Sequence, residues 1–348
     1  MTRQGHGIFV DELRAFADGH ADPRVTVVAR RCAAPLRVAV GGRRGVGRRT
    51  VARALALAGL AVTTGVTDAA DLDVYVTAEV IKPEDTGAIA AAARPVLAVL
   101  NKADLTGSLS GRAGAGPMAA ARSRCTELSA RAGAPMEPMS GLLAVAAARD
   151  LDGALWAALR ALAADPGGAT CLDGSFAGFL AADNPVPTAL RVRLLDALDV
   201  FGVALGIAAA RRGRTPAQFR ALLRRVSGVD AVLGRVSVLG AEVRYRRVLR
   251  AVAELEALAV VDEGIHGFLC SDDTVVARMA AAVELAEAAG LERATPEEPV
   301  AHLPRAVRWQ RYGLGPVSEL HRACGADIAR GSLRLWSRDG GPLPRESC

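Results

Sequence analysis

Lysine is almost missing from this chain: Lys82 and Lys102 are the only two among 348 residues, and arginine carries nearly all of the positive charge. Aromatic residues are scarce as well, at 4%, while 51% of the sequence is hydrophobic and much of that is alanine, a balance that favours helices. The six cysteines, Cys32, Cys125, Cys171, Cys270, Cys324 and Cys348, lie far apart with no C-x-x-C, so the usual signatures of a zinc or redox site are excluded and most read as small buried residues. No charge-free stretch reaches the length of a membrane span; the nearest, from Ala54 to Thr67, is too short and is broken by Gly59 and Gly65. At the amino terminus Asp11 and Glu12 stand where a secretory signal needs an apolar core, which gives a cytoplasmic expectation. The formal charge of +6 could attract nucleic acid, anionic lipid or nucleotide phosphate and selects none of them. The length exceeds what one core usually needs, so two domains are expected.

Against that background one stretch stands out. Residues Val96 to Leu105 read VLAVLNKADL, an apolar run of β-formers that empties into Asn101-Lys102-Ala103-Asp104. In a chain that keeps so few lysines, one retained inside this tetrapeptide is informative. Upstream, a strand at Leu36 to Val40 leads into the loop from Gly41 to Thr50 and then into a helix from Val51 to Ala58. Strand, glycine loop, helix is the order a phosphate site requires, since glycines permit the left-handed backbone that aims N–H groups at phosphate oxygens. Gly42 and Gly47 stand at the spacing of G-x-x-x-x-G-K-[ST], with Gly45 between them.

Together these segments resemble the P-loop GTPases, nearest to their Era-like and dynamin-like branches, over roughly Leu36 to Ala164. The resemblance implies GTP or GDP as ligand. It gives Asp104 the role of accepting both guanine N–H groups, Asn101 the Hoogsteen edge, and Lys102 a stem lying along the base that steadies the phosphate loop. Gly42, Gly45, Gly47, Arg48 and Thr50 would then hold phosphate, and Ser140-Gly141-Leu142 would resemble the S-A-[KL] motif, with the Gly141 N–H meeting guanine O6. Ser129-Ala130-Arg131 matches that motif in part but falls inside a helix.

The departures are as specific as the matches. Arg48 replaces the motif's Lys with a bulkier, forked cation, and Arg49 replaces the Ser or Thr that ligates Mg²⁺. Arginine cannot coordinate a metal at neutral pH, so the implied Mg²⁺ site lacks its hydroxyl ligand. Between Thr50 and a strand at Ala61 to Val66 there is no room for a first switch. The nearest second-switch candidate, Asp68-Ala69-Ala70-Asp71, puts a carboxylate where γ-phosphate should meet a glycine N–H, and no glutamine follows to place a water.

The expected fold is α/β: a truncated P-loop GTPase-like parallel sheet with helices on both faces, followed by an all-helical domain. Residues 1–35 form an extension with a helix at Phe9 to Asp18, 36–165 the nucleotide domain, 170–330 the helical domain and 331–348 a loose tail. Further strands are expected at Leu72 to Ala78 and Pro135 to Met139, and helices at Lys82 to Ala93, Met118 to Ala132 and Leu142 to Ala164, with a Gly-rich loop from Thr106 to Pro117. Later helices are expected at Thr188 to Ala210, Pro216 to Arg225, Asp230 to Ala259, Asp273 to Ala289 and Pro304 to Arg311, broken at Gly213, Gly228 and Gly264. Arginines cluster at 211, 212 and 214, at 220, 224 and 225, and at 244, 246, 247 and 250; without aromatic interleaving they read as solvated faces, which disfavours nucleic acid and leaves a membrane surface unsupported. Glu263 with His266, His321 with Cys324, and His302 lack further ligands, and Ser175, Ser227 and Ser271 lack a G-x-S-x-G context. Two functions stay open: a guanine-nucleotide-binding protein with little or no hydrolysis, or a pseudo-GTPase scaffold whose helices bind a partner protein, an active GTPase being the candidate partner. The apolar positions Val232, Leu239, Val243, Val248 and Leu255, within Asp230 to Leu258, mark the expected partner surface.

Overall fold

The computed structural model of the chain describes residues 5–64, 69–106, 116–168, 176–292 and 301–340. They form two compact units, Leu36–Ser237 on the one hand and Met1–Pro35 with Val238–Cys348 on the other.

The first unit is built on five strands: β1 (Arg37–Gly42), β2 (Ala61–Thr64), β3 (Leu72–Ala78), β4 (Val96–Asn101) and β5 (Met136–Met139). They pair in the order β2-β1-β3-β4-β5, all parallel. Chain order reverses between β1 and β3, the point at which open α/β sheets bind ligands beyond their carboxyl ends. The interleaved helices are α3 (Arg48–Leu57), α4 (Pro83–Ala90), α5 (Pro117–Ala132) and α6 (Gly141–Ala147). On β4, Ala98 and Leu100 join Ile89 of α4 and Ala121, Cys125 and Leu128 of α5 in one cluster. Leu97 and Val99, which alternation turns to the opposite face, are also fully buried, so the sheet is covered on both sides as its near-continuous apolar strands require.

The α/β domain followed by helices is as expected, but its limits are not. Helices α7 (Gly153–Ala164), α8 (Phe176–Ala181), α9 (Thr188–Arg211) and α10 (Pro216–Ser227) share one core with Leu143 of α6, so the boundary expected near Asp165 falls inside a unit. Close packing explains why. A Cβ on Gly202 of α9 would lie 2.7 Å from Leu143, and one on Gly206 would lie 2.7 Å from Leu159, so these two glycines seat α9 directly on α6 and α7. The single helix expected from Leu142 to Ala164 is two, because Asp152 caps a new start by accepting from the Ala154 N–H.

The second unit joins α1 (Gly5–Gly19) and α2 (Pro23–Cys32) to most of α11 (Val229–Ala259), α12 (Glu263–Cys270), α13 (Asp272–Ala288), α14 (His302–Leu314) and α15 (Glu319–Arg338). The amino-terminal segment is thus part of a core, with Phe9, Leu13, Val25 and Val28 packed among Tyr245, Leu255, Ala282 and Trp309. The tail expected from residue 331 begins only after Arg338, since Gly331 and Ser332 are buried in α15; residues 341–348 lie outside the described ones. Gly264, expected as a break, lies in the first turn of α12, whose Asp262 cap accepts from the Ile265 N–H. Val232, Val248 and Leu255, expected as an exposed partner surface, are fully buried and serve the cores instead. No helix among the described residues is long and apolar enough to cross a membrane.

Candidate functional site

The loop after β1 carries its turns on glycine: Gly42 has φ +138°, Gly45 +86° and Gly47 +85°. The left-handed region costs other residues about 1 to 2 kcal/mol, so three such positions in six residues explain the composition. Arg43 does not face outward with the loop. Its Nε donates to Asp85 Oδ1 at 2.7 Å, and the same carboxyl, fully buried at the start of α4, accepts from the Tyr75 hydroxyl at 2.8 Å and the Lys82 N–H at 2.9 Å. Burial works against ionisation of Asp85, but these three donors outweigh it and hold its pKa below the ordinary value; burial and the neighbouring Asp85 push the Tyr75 phenol up to about 12.

A second tie holds the far side of the loop. Asn101, buried at the carboxyl end of β4, donates from Nδ2 to the Val46 carbonyl at 2.8 Å and accepts at Oδ1 from the Gly141 N–H at 2.9 Å. One side chain therefore joins the ends of β1, β4 and β5. Gly47 makes room for it, because a Cβ there would stand 2.3 Å from Asn101 Nδ2. An amide nitrogen has two N–H groups, and the bond to Val46 uses one of them.

The turn after β4 places Lys102 in the left-handed region, φ +58°, with its side chain exposed, and turns Asp104 inward to 5% exposure. Burial raises the Asp104 pKa above its ordinary value; the Ser140 hydroxyl, which donates to it, opposes that shift and the Asp199 carboxylate adds to it. Ser140 is itself held, its N–H donating to the Ser227 carbonyl at the end of α10 at 2.8 Å. Asp199 stands at φ +56°, ψ 177° in the kink of α9, a conformation glycine takes far more readily than aspartate.

Of the sequence-derived site, Gly42, Gly45, Gly47, Asn101, Asp104, Ser140 and Gly141 thus gather at the carboxyl ends of β1, β4 and β5. Three details differ from expectation. The Gly141 N–H is spent on Asn101 and does not point to a base carbonyl. The Arg48 guanidinium donates to the Gly42 carbonyl at 3.2 Å, closing over the loop. Thr50 lies half-buried in the first turn of α3. Asp68, of the second-switch candidate, lies outside the described residues, as do 107–115 of the Gly-rich loop, Cys171, Ser175 and Cys348. Arg43, Tyr75, Asp85 and Asp199 were not foreseen. Asp85 alone had a signal, as an acid in the first turn behind Pro83. No group of three or more His, Cys, Asp or Glu side chains that could hold a metal ion occurs among the described residues.

Comparison of the chain with protein-family models, with curated proteins and with solved structures gave no match.

Proposed function

We propose that the first unit binds a guanine nucleotide at the carboxyl ends of β1, β4 and β5 and hydrolyses it slowly or not at all. The observation that carries this is the Asn101 amide, which ties the Val46 carbonyl of the glycine loop to the Gly141 N–H and so draws three separately recognised motifs to one place. The loop backbone and Arg48 take the phosphates, Lys102 lies along the base, and Asp104, once ionised, accepts two N–H groups that adenine does not offer. Slow turnover follows from Arg49, which occupies the place of a metal-ligating hydroxyl. GTP or GDP is the ligand, and Mg²⁺ contributes little to holding it.

A second function, a scaffold that has kept the fold and lost the ligand, is favoured by one observation: Asp104 is already buried against the Ser140 hydroxyl. Titration with fluorescent GDP, GTP and ATP, with and without Mg²⁺, separates the two. Guanine-selective binding that Asn101→Ala weakens supports the first; no binding of any nucleotide leaves the scaffold.

A further inference from the structure

Helices α9 and α10 run back on each other through the turn at Gly213, φ +66°, and enclose a groove of about 510 Å³. Its two walls carry the same pattern. On α9, Leu205, Ala208, Ala209 and Arg212 fall at i, i+3, i+4 and i+7; on α10, Gln218, Ala221, Leu222 and Arg225 do the same. Each row ends on an arginine, and the rows border the core that Ile207, Phe219 and Leu223 form: Ala209 is buried in that core, Leu205 and Leu222 are half-buried against it, and Ala208 and Ala221 lie beside them in the groove. Small alanines leave the floor open.

The rim is charged and unopposed. Arg220 pairs with Asp150 and Arg224 with Asp230, and Arg211 donates to the Ala163 carbonyl at 3.1 Å. The guanidinium groups of Arg212, Arg214 and Arg225 have no carboxylate or other hydrogen-bond partner among the described residues. Arg214 stands in the turn ahead of the Thr215 cap of α10, and Arg225 lies near the far end of the helix, about 14 Å from its first residue.

We propose that this groove docks an amphipathic helix of a protein partner, one whose apolar stripe is flanked at both ends by Asp or Glu. Charge complementarity selects the acidic flanks, and the apolar floor between the arginines selects the stripe. A nucleic-acid backbone would leave Leu205, Ala208 and Leu222 unused, and a bilayer meets a protruding face better than a recess between two helices. The groove lies apart from Asn101 and Asp104 in sequence and makes no use of them.

The test is fluorescence anisotropy of the full-length chain with a labelled helical peptide. The peptide carries leucines at i, i+4, i+7 and i+11, with glutamates at each end about three turns apart. Expected is saturable binding that falls at least tenfold when the peptide leucines become serine, and again when its glutamates become lysine. Arg212→Glu with Arg225→Glu, and separately Ala221→Trp to fill the floor, should each lower affinity tenfold or more while the circular dichroism spectrum is kept. Peptide variation alone decides the matter if a protein variant misfolds. Absence of binding up to about 1 mM peptide, binding indifferent to the leucines, or stronger association with phosphatidylglycerol vesicles than with the peptide would each overturn the proposal.

Discussion

Gly45 and Gly47 offer a controlled comparison inside one loop. Both hold the same left-handed backbone, φ +86° and +85°, so alanine at either costs about 1 to 2 kcal/mol in strain. Their surroundings differ. A Cβ on Gly45 meets nothing within 4 Å, whereas one on Gly47 lies 2.3 Å from Asn101 Nδ2. A side-chain end would ordinarily swing aside at little cost, but this one is held by the Val46 carbonyl and the Gly141 N–H. Displacing it loses two hydrogen bonds at about 1 kcal/mol each and leaves buried groups unpaired at about 1 to 3 kcal/mol more. Gly47→Ala should therefore be less stable than Gly45→Ala by about 3 to 5 kcal/mol, read by urea unfolding and by hydrogen exchange of the β1 and β4 amides. If the two variants agree within about 0.5 kcal/mol, Asn101 does not hold the loop and the case for a preformed site fails.

Asp104→Asn should stabilise the unliganded protein at neutral pH. A carboxyl whose folded pKa is raised contributes stability that is present at low pH and lost as pH rises through that pKa, and asparagine removes the loss; a variant that melts below wild type at pH 7 contradicts it. His6 behaves in the opposite way. Burial is the chief reason its pKa is lowered to about 4, so the second unit should lose about 3 kcal/mol as pH falls from 6.5 toward 4. His6→Gln, which keeps a donor for the Cys32 carbonyl, should flatten that part of the stability-against-pH curve. Arg49→Ser should make nucleotide affinity depend on Mg²⁺ while leaving turnover near background, and turnover at ordinary GTPase rates in the unmutated chain would show that the metal site is intact after all.

The parallel sheet was legible because Val96–Asn101 is the near-continuous apolar run that a strand buried on both faces shows, and Leu72–Ala78 alternates, with Asp73 and Tyr75 between its buried residues. Gly42, Gly47, Asn101 and Asp104 were legible because each sits where its conformation or chemistry admits few substitutes. What stayed hidden depends on pairs far apart in sequence. The Arg43 bond to Asp85 spans 42 residues and the Asn101 bond to Val46 spans 55, and neither partner's letter announces the other. The boundary was misplaced for the same reason: Asp165-Pro166-Gly167-Gly168 is good turn chemistry, but Gly202 and Gly206 press α9 onto helices from before that turn. Val232, Val248 and Leu255 looked exposable because arginines stand among them; Arg246 and Arg250 do face solvent, but Arg244, one turn before Val248, is buried with them and paired with Glu284.

The central claim is that Asp104 reads guanine, and the most direct test compares GDP, xanthosine diphosphate and ADP on the wild-type chain and on Asp104→Asn by equilibrium titration at pH 7.5. The wild type should prefer GDP to ADP, because adenine leaves the carboxylate without its two donors at about 1 to 3 kcal/mol for each unpaired group. Asp104→Asn should lose GDP and gain the xanthine nucleotide, whose C2 carbonyl accepts from the new amide. Equal affinity of the wild type for GDP and ADP, or a preference that Asp104→Asn leaves unchanged, would contradict it.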